Sequence, residues 1–140
     1  MQKTWILIAD SQHARCLTRD PQNHALTELA GFIHPQSRLD KEAHGRTGHA
    51  GTQFEPQTPP EVKARHGFAR ELADYLNKAV GEHQCHDLVL IASSPMLGEL
   101  KPQLSTAAEK VLRRCITSDL THYQGADLKA RIDHALLPVA

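Results

Sequence analysis

The sequence of 140 residues lacks several features that would identify a class of protein. It has no net charge, because 16 acidic residues balance 16 basic ones, so no overall field attracts it to nucleic acid or to an anionic membrane. Aromatic residues make up only 4% of the chain, and Phe54 is the one aromatic residue that accompanies the basic residues between 34 and 60, so the reading of a single strand by base stacking is not indicated. There is no apolar run of 18 residues and no signal-peptide pattern, so we expect a cytoplasmic protein without membrane contact.

The motifs of common catalytic and metal sites are also missing. Three widely spaced cysteines form no C-x-x-C pair and are expected to be reduced thiols. The spacing of His34, His44 and His49 matches no common zinc motif. Ser93 and Ser94 lie in "ASSPM", which lacks the G-x-S-x-G pattern of a serine hydrolase. The sequence therefore predicts no metal site from a motif and no cofactor.

What the sequence does contain is enough apolar material for one folded domain. With 40% hydrophobic residues, a chain of this length can bury about two-thirds of its unfolded surface. We predict a single domain over residues 1–140, interrupted by a long loop at about 34–60. Residues 34–61 have neither a helical nor a strand period in their apolar residues. Their sequence is "HPQSRLDKEAHGRTGHAGTQFEPQTPPE". Loops longer than roughly 12 to 15 residues are usually functional or disordered.

Apolar runs and periodic segments predict an α/β fold. Strands are expected at residues 4–10, 13–19, 25–34, 86–94 and, in an ambiguous segment, near 111–118. A helix of about 20 residues should begin with Thr58 as its N-cap and end at Gly81, with Gly67 marking the close approach of another backbone. Short helical turns at 95–108 and an amphipathic helix at about 126–137 follow. The result is a mixed five-stranded sheet flanked by helices.

The order of these elements fixes the directions of the strands. The first three strands are joined by short links and form an antiparallel meander, whereas the long helix between strands three and four is typical of a right-handed, parallel crossover. Asp10, His34, Ser93 and Ser94 then fall on one edge of the sheet, and the long loop leaves from that edge. Ligands of open α/β sheets bind outside the carboxyl ends of the strands, so we expect a site here.

Two aspartates suggest an alternative, catalytic site. Asp87 begins the fourth strand and should lie roughly 20 Å from Asp10, too far to share a metal ion. Asp119 follows the fifth strand and approaches Asp10 if that strand is also parallel, which would suit a metal-dependent nuclease or phosphoesterase. The other interpretation is structural: Asp10 completes the turn at Ser11-Gln12, and Asp119 caps the last helix.

The residues resemble a known family along nearly the whole chain. The segments "WILIADSQHARCL", "HPQSRLD", "HGRTG", "FARELADYL", "LVLIASSPMLGELKPQL" and "SDLTH" occur in the order and with the spacing of the bacterial host-attachment protein family. On these segments the chain is identified as similar to that family. The resemblance implies a role connected with attachment to host cells and no specific chemistry.

A more distant resemblance is to the middle domain of the archaeal and eukaryotic peptide-release factors. It implies an RNase H-like fold, with the loop between the third strand and the long helix as the functional element. In those proteins this loop carries a Gly-Gly-Gln that reaches the ribosomal peptidyl-transferase centre. The corresponding segment here, "HGRTGHAGTQF", contains Gly51-Thr52-Gln53, with threonine in place of the second glycine. The resemblance marks Gln53 as a candidate for catalysis or for positioning a water molecule.

Basic and imidazole side chains in the loop indicate contacts with phosphate groups. The predicted binding residues are Asp10, His34, Arg38, His44, Arg46, Gln53, Ser93 and Ser94. We predict a non-catalytic cytoplasmic binding module that contacts the ribosome or a structured RNA through the 34–60 loop. One alternative is the metal-dependent enzyme that uses Asp10 and Asp119. Another is a regulatory protein-interaction module without chemistry, which could assemble as a homo-oligomer.

Overall fold

The structure, a computed structural model, describes residues 3–34 and 60–137. Within these ranges the chain forms five strands and four α-helices, with a 3-10 turn at Lys101–Gln103. The strands are β1 (Thr4–Ala9), β2 (His13–Arg19), β3 (Leu26–Ile33), β4 (Leu88–Ala92) and β5 (Leu112–Thr117), and the helices are α1 (Pro60–Gly81), α2 (Ser94–Leu100), α3 (Thr106–Val111) and α4 (Gly125–Ala135). Each predicted strand is confirmed to within two residues at either end.

The strands form a single mixed sheet in the order β3-β2-β1-β4-β5. β2 pairs antiparallel with β1 and with β3, while β4 is parallel to both β1 and β5. In the described residues, β1, β3, β4 and β5 therefore all run in one direction, and β2 alone runs in the other. This confirms the predicted meander followed by parallel strands, and it is the arrangement of an RNase H-like sheet.

Helices cover the two faces of the sheet and create two separate apolar layers. β1 and β4 are buried at every position because both faces are covered, which explains their continuous apolar sequences. On one face the α1 stripe of Phe68, Leu72 and Leu76 packs against the sheet. On the other face Leu128 and Ile132 of α4 do so. No helix in the described ranges is long and apolar enough to cross a membrane.

A bulge in β3 determines which of its side chains share the α4 face. Cys16 pairs with Ala30 and Leu17 pairs with Glu28, so Leu29 is an extra residue. The bulge brings Glu28 and Gly31 onto the same face of the strand, although their sequence separation is odd. Leu29 itself is left 44% exposed on this edge strand. The bulge is therefore the reason that Glu28 can reach the side chains that line the α4 face of β2.

Some local predictions about the helices are wrong or lie outside the described residues. A Cβ at Gly67 would meet no atom within 4 Å in the part of the chain that the structure describes, so no backbone of that part approaches this glycine closely. The predicted N-cap Thr58 and almost all of the predicted 34–60 loop lie outside the described residues. The turns between residues 95 and 108 are confirmed as α2, the 3-10 turn and the start of α3, where the N-cap is Ser105, whose hydroxyl accepts from the Ala108 amide.

The three thiols are free, as the sequence predicts. Burial raises the pKa of Cys16 to about 12, and burial likewise raises the pKa of Cys85 to about 11. Cys115 on β5 is only half-buried. Because the thiolate is the reactive form, Cys16 and Cys85 behave as small apolar core residues at neutral pH.

Candidate functional site

The carboxyl ends of four strands meet at one edge of the sheet, which we call the carboxyl edge. The Ser93 amide donates to the Ala9 carbonyl at 3.1 Å, and the Ser118 amide donates to the Ala92 carbonyl at 3.1 Å. At the other end of this edge the His34 amide donates to the Gln12 carbonyl at 2.8 Å. These bonds place the ends of β1, β3, β4 and β5 side by side. The predicted convergence of these segments is therefore present.

Asp10 is held rigidly where the chain leaves β1. Its Oδ1 accepts from the backbone amides of Gln12 at 2.8 Å and His13 at 2.7 Å, which is the predicted turn-completing role. Its Oδ2 accepts from the Thr121 hydroxyl at 2.7 Å. Burial acts to raise the pKa of Asp10, but the bonds from Thr121, Gln12 and His13 outweigh it and leave the pKa below its ordinary value. Asp10 is therefore a preorganised carboxylate at neutral pH.

Asp119 follows β5 and faces Asp10 across Thr121. Asp119 Oδ1 accepts from the Thr121 amide at 3.3 Å and from the Thr121 hydroxyl at 3.0 Å. It does not cap the last helix as the structural interpretation proposed, because Gln124 occupies the N-cap of α4. The Thr121 hydroxyl has one hydrogen and contacts both carboxylates, so it cannot fully satisfy the two at once.

Asp10, Asp119 and His122 together form a group that we call the Asp–His cluster. One ligand atom from each lies within 4.8 Å of the others. The His122 Nε2 is 3.8 Å from the Asp10 Oδ2, and the imidazole is 70% exposed. Among the described residues the Asp119 Oδ2 has no hydrogen-bond donor. Two carboxylates and one imidazole are ligand types that can hold a cation. The ligands of a cation stand at most about 4.2 Å apart when its bonds are about 2.1 Å, so atoms up to 4.8 Å apart would approach by about 0.6 Å on binding.

A second histidine stands beside the cluster. His13 Nδ1 is 3.9 Å from the Asp10 Oδ1, and its ring centroid is 6.2 Å from that of His122. The sequence reasoning missed both histidines, although a local signal was present. Asp10 and His13 form a D-x-x-H directly after β1, and Asp119 and His122 form another directly after β5. Because both strands end at the carboxyl edge, the repeated spacing could have indicated that two such turns meet there.

Arg15 fixes the position of the turn that carries His122. Its Nη1 donates to the carbonyls of Tyr123 at 2.6 Å and Thr121 at 3.4 Å, one on each side of His122. Its Nε and Nη2 donate to the Glu28 carboxylate at 3.1 and 2.9 Å. β2 and β3 thus hold the chain segment after β5, and the charge of Arg15 is compensated by Glu28.

The remaining predicted site residues occupy different surroundings. The His34 side chain is buried, and its ring centroid lies 5.3 Å from that of Phe68. Ser93 lies at the carboxyl edge, where its Oγ is buried and has no hydrogen-bond partner within residues 3–34 and 60–137. Ser94 is exposed at the start of α2. Asp87 lies at the opposite edge of the sheet, as predicted. Its carboxylate accepts hydrogen bonds from the Thr4 hydroxyl and the Arg113 guanidinium. Four further residues, Arg38, His44, Arg46 and Gln53, lie outside the described residues.

Comparison with known proteins gives one family match. The model of a family described as "Protein required for attachment to host cells" matches residues 5–132. No curated protein matches the chain.

Several solved structures are similar to the chain at low identity. A Ppx/GppA phosphatase of Aquifex aeolicus is 14% identical with a TM-score of 0.45, over 84% of this chain and 36% of that one. An archaeal actin homolog is 13% identical with a TM-score of 0.47, over 96% of this chain and 48% of that one. RuvC of Thermus thermophilus is 10% identical with a TM-score of 0.40, over 94% of this chain and 78% of that one. The chain thus spans between about a third and a half of the length of the first two proteins. At such low identities and TM-scores, none of the three structures indicates the activity of this chain.

Proposed function

The chain belongs to the family of proteins required for attachment to host cells, and we propose that its own chemistry is the hydrolysis of phosphate esters with a divalent cation. The observation that carries the proposal is the Asp–His cluster, in which three ligand atoms from two separate turns lie within 4.8 Å of one another. The sequence offered this activity as an alternative to a non-catalytic module. We rank cation-dependent hydrolysis first because the close approach of Asp10, Asp119 and His122 supports it.

The charges of the cluster favour a cation over an anion. Two carboxylates meet at one edge, and Arg15, the cation beside them, is already engaged by Glu28 at 2.9 Å. The Thr121 hydroxyl has a single hydrogen for both carboxylates, although it lies within 3.0 Å of an oxygen of each. A bound cation would be attracted by both negative charges. Carboxylate ligands with one imidazole suit Mn²⁺ and Mg²⁺, with Zn²⁺ as a further candidate.

The residues around the cluster supply the rest of the reaction. A cation at Asp10, Asp119 and His122 would polarise a phosphoryl oxygen. His13 is exposed beside it, 3.9 Å from Asp10, and is placed to accept a proton from the attacking water. The water oxygen forms a bond to phosphorus, the ester P–O bond breaks, and the leaving oxygen takes up a proton from solvent. The products are phosphate and an alcohol, and no oxidant or reductant is consumed.

The affinity for Mn²⁺ tests the proposal. We expect the wild-type protein to bind about one Mn²⁺ in isothermal titration calorimetry, and Asp119→Asn to weaken binding at least about 100-fold. The reason is that a charged ligand is lost, whereas removing outer residues of a metal site already costs about 10- to 100-fold. Asp74→Asn is the matched control, because Asp74 is exposed on α1. Equal Mn²⁺ affinity in wild type and Asp119→Asn would contradict the proposed function.

A second candidate function is the binding of the ribosome or a structured RNA without catalysis, with or without kinship to release-factor middle domains. The observation that favours it is the position of His34, whose amide is bonded to Gln12 at the carboxyl edge. The segment with Arg38, His44, Arg46 and Gln53 therefore starts from the same edge as the Asp–His cluster.

Sedimentation of tagged protein through a sucrose gradient at low salt tests this candidate. We expect the protein to migrate with ribosomes or large RNA, and the double variant Arg38→Ala, Arg46→Ala to move to the top fractions, because phosphate contacts dominate such binding. A wild-type profile confined to the top fractions would contradict this function and would leave the cation-dependent one untouched.

A further inference from the structure

A cavity opens directly beside the Asp–His cluster on the α4 face of the sheet. Its volume is about 320 Å³, near the lower end of pockets that hold small molecules. We call it the Gly31 cavity. Its lining includes His13, Arg15, Gly31, Ile33, Thr121 and His122. Thr121 and His122 also belong to the turn that carries the cluster, so the cavity and the proposed cation site are continuous.

The lining of the Gly31 cavity combines two kinds of chemistry. The imidazoles of His13 and His122 have ring centroids 6.2 Å apart. Beside them lie Ile33, which pairs directly with His13 and is 39% exposed, and, two residues further along β3, the bare backbone of Gly31. Gly31 pairs directly with Arg15 across the strands, so the missing side chain leaves room over the floor of the cavity.

The Gly31 cavity is poorly suited to a polyanion. Among residues 3–34 and 60–137, Arg15 is the one lysine or arginine that lines it, and this guanidinium is already bonded to Glu28 and to the carbonyls of Thr121 and Tyr123. A polyphosphate or a long nucleic acid chain would need further cations along its path. A ligand with a single anionic group beside the imidazoles and an uncharged remainder over Gly31 and Ile33 fits the lining better.

From this lining we propose that the substrates are phosphate monoesters of an uncharged, apolar alcohol, and that the Gly31 cavity holds the alcohol group. This inference rests on the cation-dependent hydrolysis proposed above and names its substrate class. The phosphate would stand against the Asp–His cluster and the organic group over Gly31. An aryl ring is small enough for a cavity of about 320 Å³.

Filling the cavity from its floor tests the inference. Among the atoms of the described ranges, the new Cβ in Gly31→Val would meet only the Glu28 Oε2 at 3.8 Å, which is an ordinary contact, so the sheet should tolerate the change. The methyl groups of valine would occupy the space intended for an aryl ring. For Mn²⁺-loaded protein we expect the KM of phenyl phosphate to rise at least about tenfold, while the KM of methyl phosphate and the Kd of Mn²⁺ remain unchanged. Gly31→Ala should give a smaller increase.

Gly98→Val is the matched control, because a Cβ there would meet nothing within 4 Å and Gly98 lies on α2, away from the cavity. It should leave all three values unchanged. Initial rates of phosphate release give the two KM values, and calorimetric titration gives the Kd of Mn²⁺, which also reports whether the fold is intact. If Mn²⁺ binds normally but Gly31→Val binds phenyl phosphate as the wild type does, the substrate inference is overturned and the cation site stands. If the wild type does not bind Mn²⁺, the proposed function and this inference fail together.

Discussion

Replacement of His13 by glutamine is expected to lower the rate of Mn²⁺-dependent hydrolysis of phenyl phosphate by about 10²- to 10⁴-fold, the usual contribution of a general base. His13 stands 3.9 Å from Asp10 and is not one of the three residues of the Asp–His cluster. The affinity for Mn²⁺ should therefore remain within about twofold of the wild type. The measurement is the initial rate of phosphate release at saturating Mn²⁺, together with a calorimetric titration of the metal.

His86→Gln is the control for this prediction. His86 is also an exposed imidazole, but it lies just before β4 at the opposite edge of the sheet, next to Asp87. Its replacement should change neither the rate nor the affinity for Mn²⁺. If His13→Gln keeps the full rate, His13 is not the general base. If His13→Gln loses Mn²⁺ binding, His13 is a ligand of the cation instead of a base.

Leu90→Ala is expected to lower the free energy of unfolding by about 2 to 5 kcal/mol, which is a large part of the 5 to 15 kcal/mol typical of a domain. Leu90 is fully buried in β4, between β1 and β5, and belongs to the apolar layer beneath α1. Truncation loses the transfer free energy of the removed carbons and leaves a cavity that the rigid sheet cannot close. Urea unfolding followed by the fluorescence of Trp5, the one tryptophan of the chain, measures the loss.

Leu29→Ala provides the comparison at an exposed position. Leu29 is 44% exposed at the bulge of β3, so the same truncation removes little buried area. We expect a change within about 0.5 kcal/mol, as for most surface substitutions. Similar losses in the two variants would contradict the assignment of β4 to the centre of the core.

The fold was predictable because its signals are local. The apolar runs at Leu88–Ala92 and Thr4–Ala9 are buried on both faces, and the four-residue period of α1 marks the face that packs on the sheet. Strand directions followed from the lengths of the connections, since a short link forces an antiparallel neighbour and a long helix permits a parallel one. The meeting of Asp10 with Asp119 could be foreseen as a consequence of a parallel fifth strand.

The finer geometry of the cluster depends on contacts between distant parts of the chain. The path of the turn after β5 is fixed by the bond from Thr121 to Asp10 and by the bonds of Arg15 to the carbonyls around His122, across 106 to 111 positions of sequence. No local period reports such bonds. The prediction that Asp119 caps a helix failed for a different, local reason, because its carboxylate accepts from the amide and hydroxyl of Thr121 two residues on, and the last helix begins only after Gln124.

The bond between the Thr121 hydroxyl and Asp10 joins groups that are 111 positions apart. An ion bound between Asp10 and Asp119 would link the N-terminal and C-terminal parts of the domain. The two parts could then separate only after the ion had dissociated. A ligand that binds only the native state raises the free energy of unfolding by RT ln(1 + [L]/Kd), or about 2.7 kcal/mol at a ligand concentration one hundred times Kd. The melting temperature of the domain would then rise with the concentration of free metal ion.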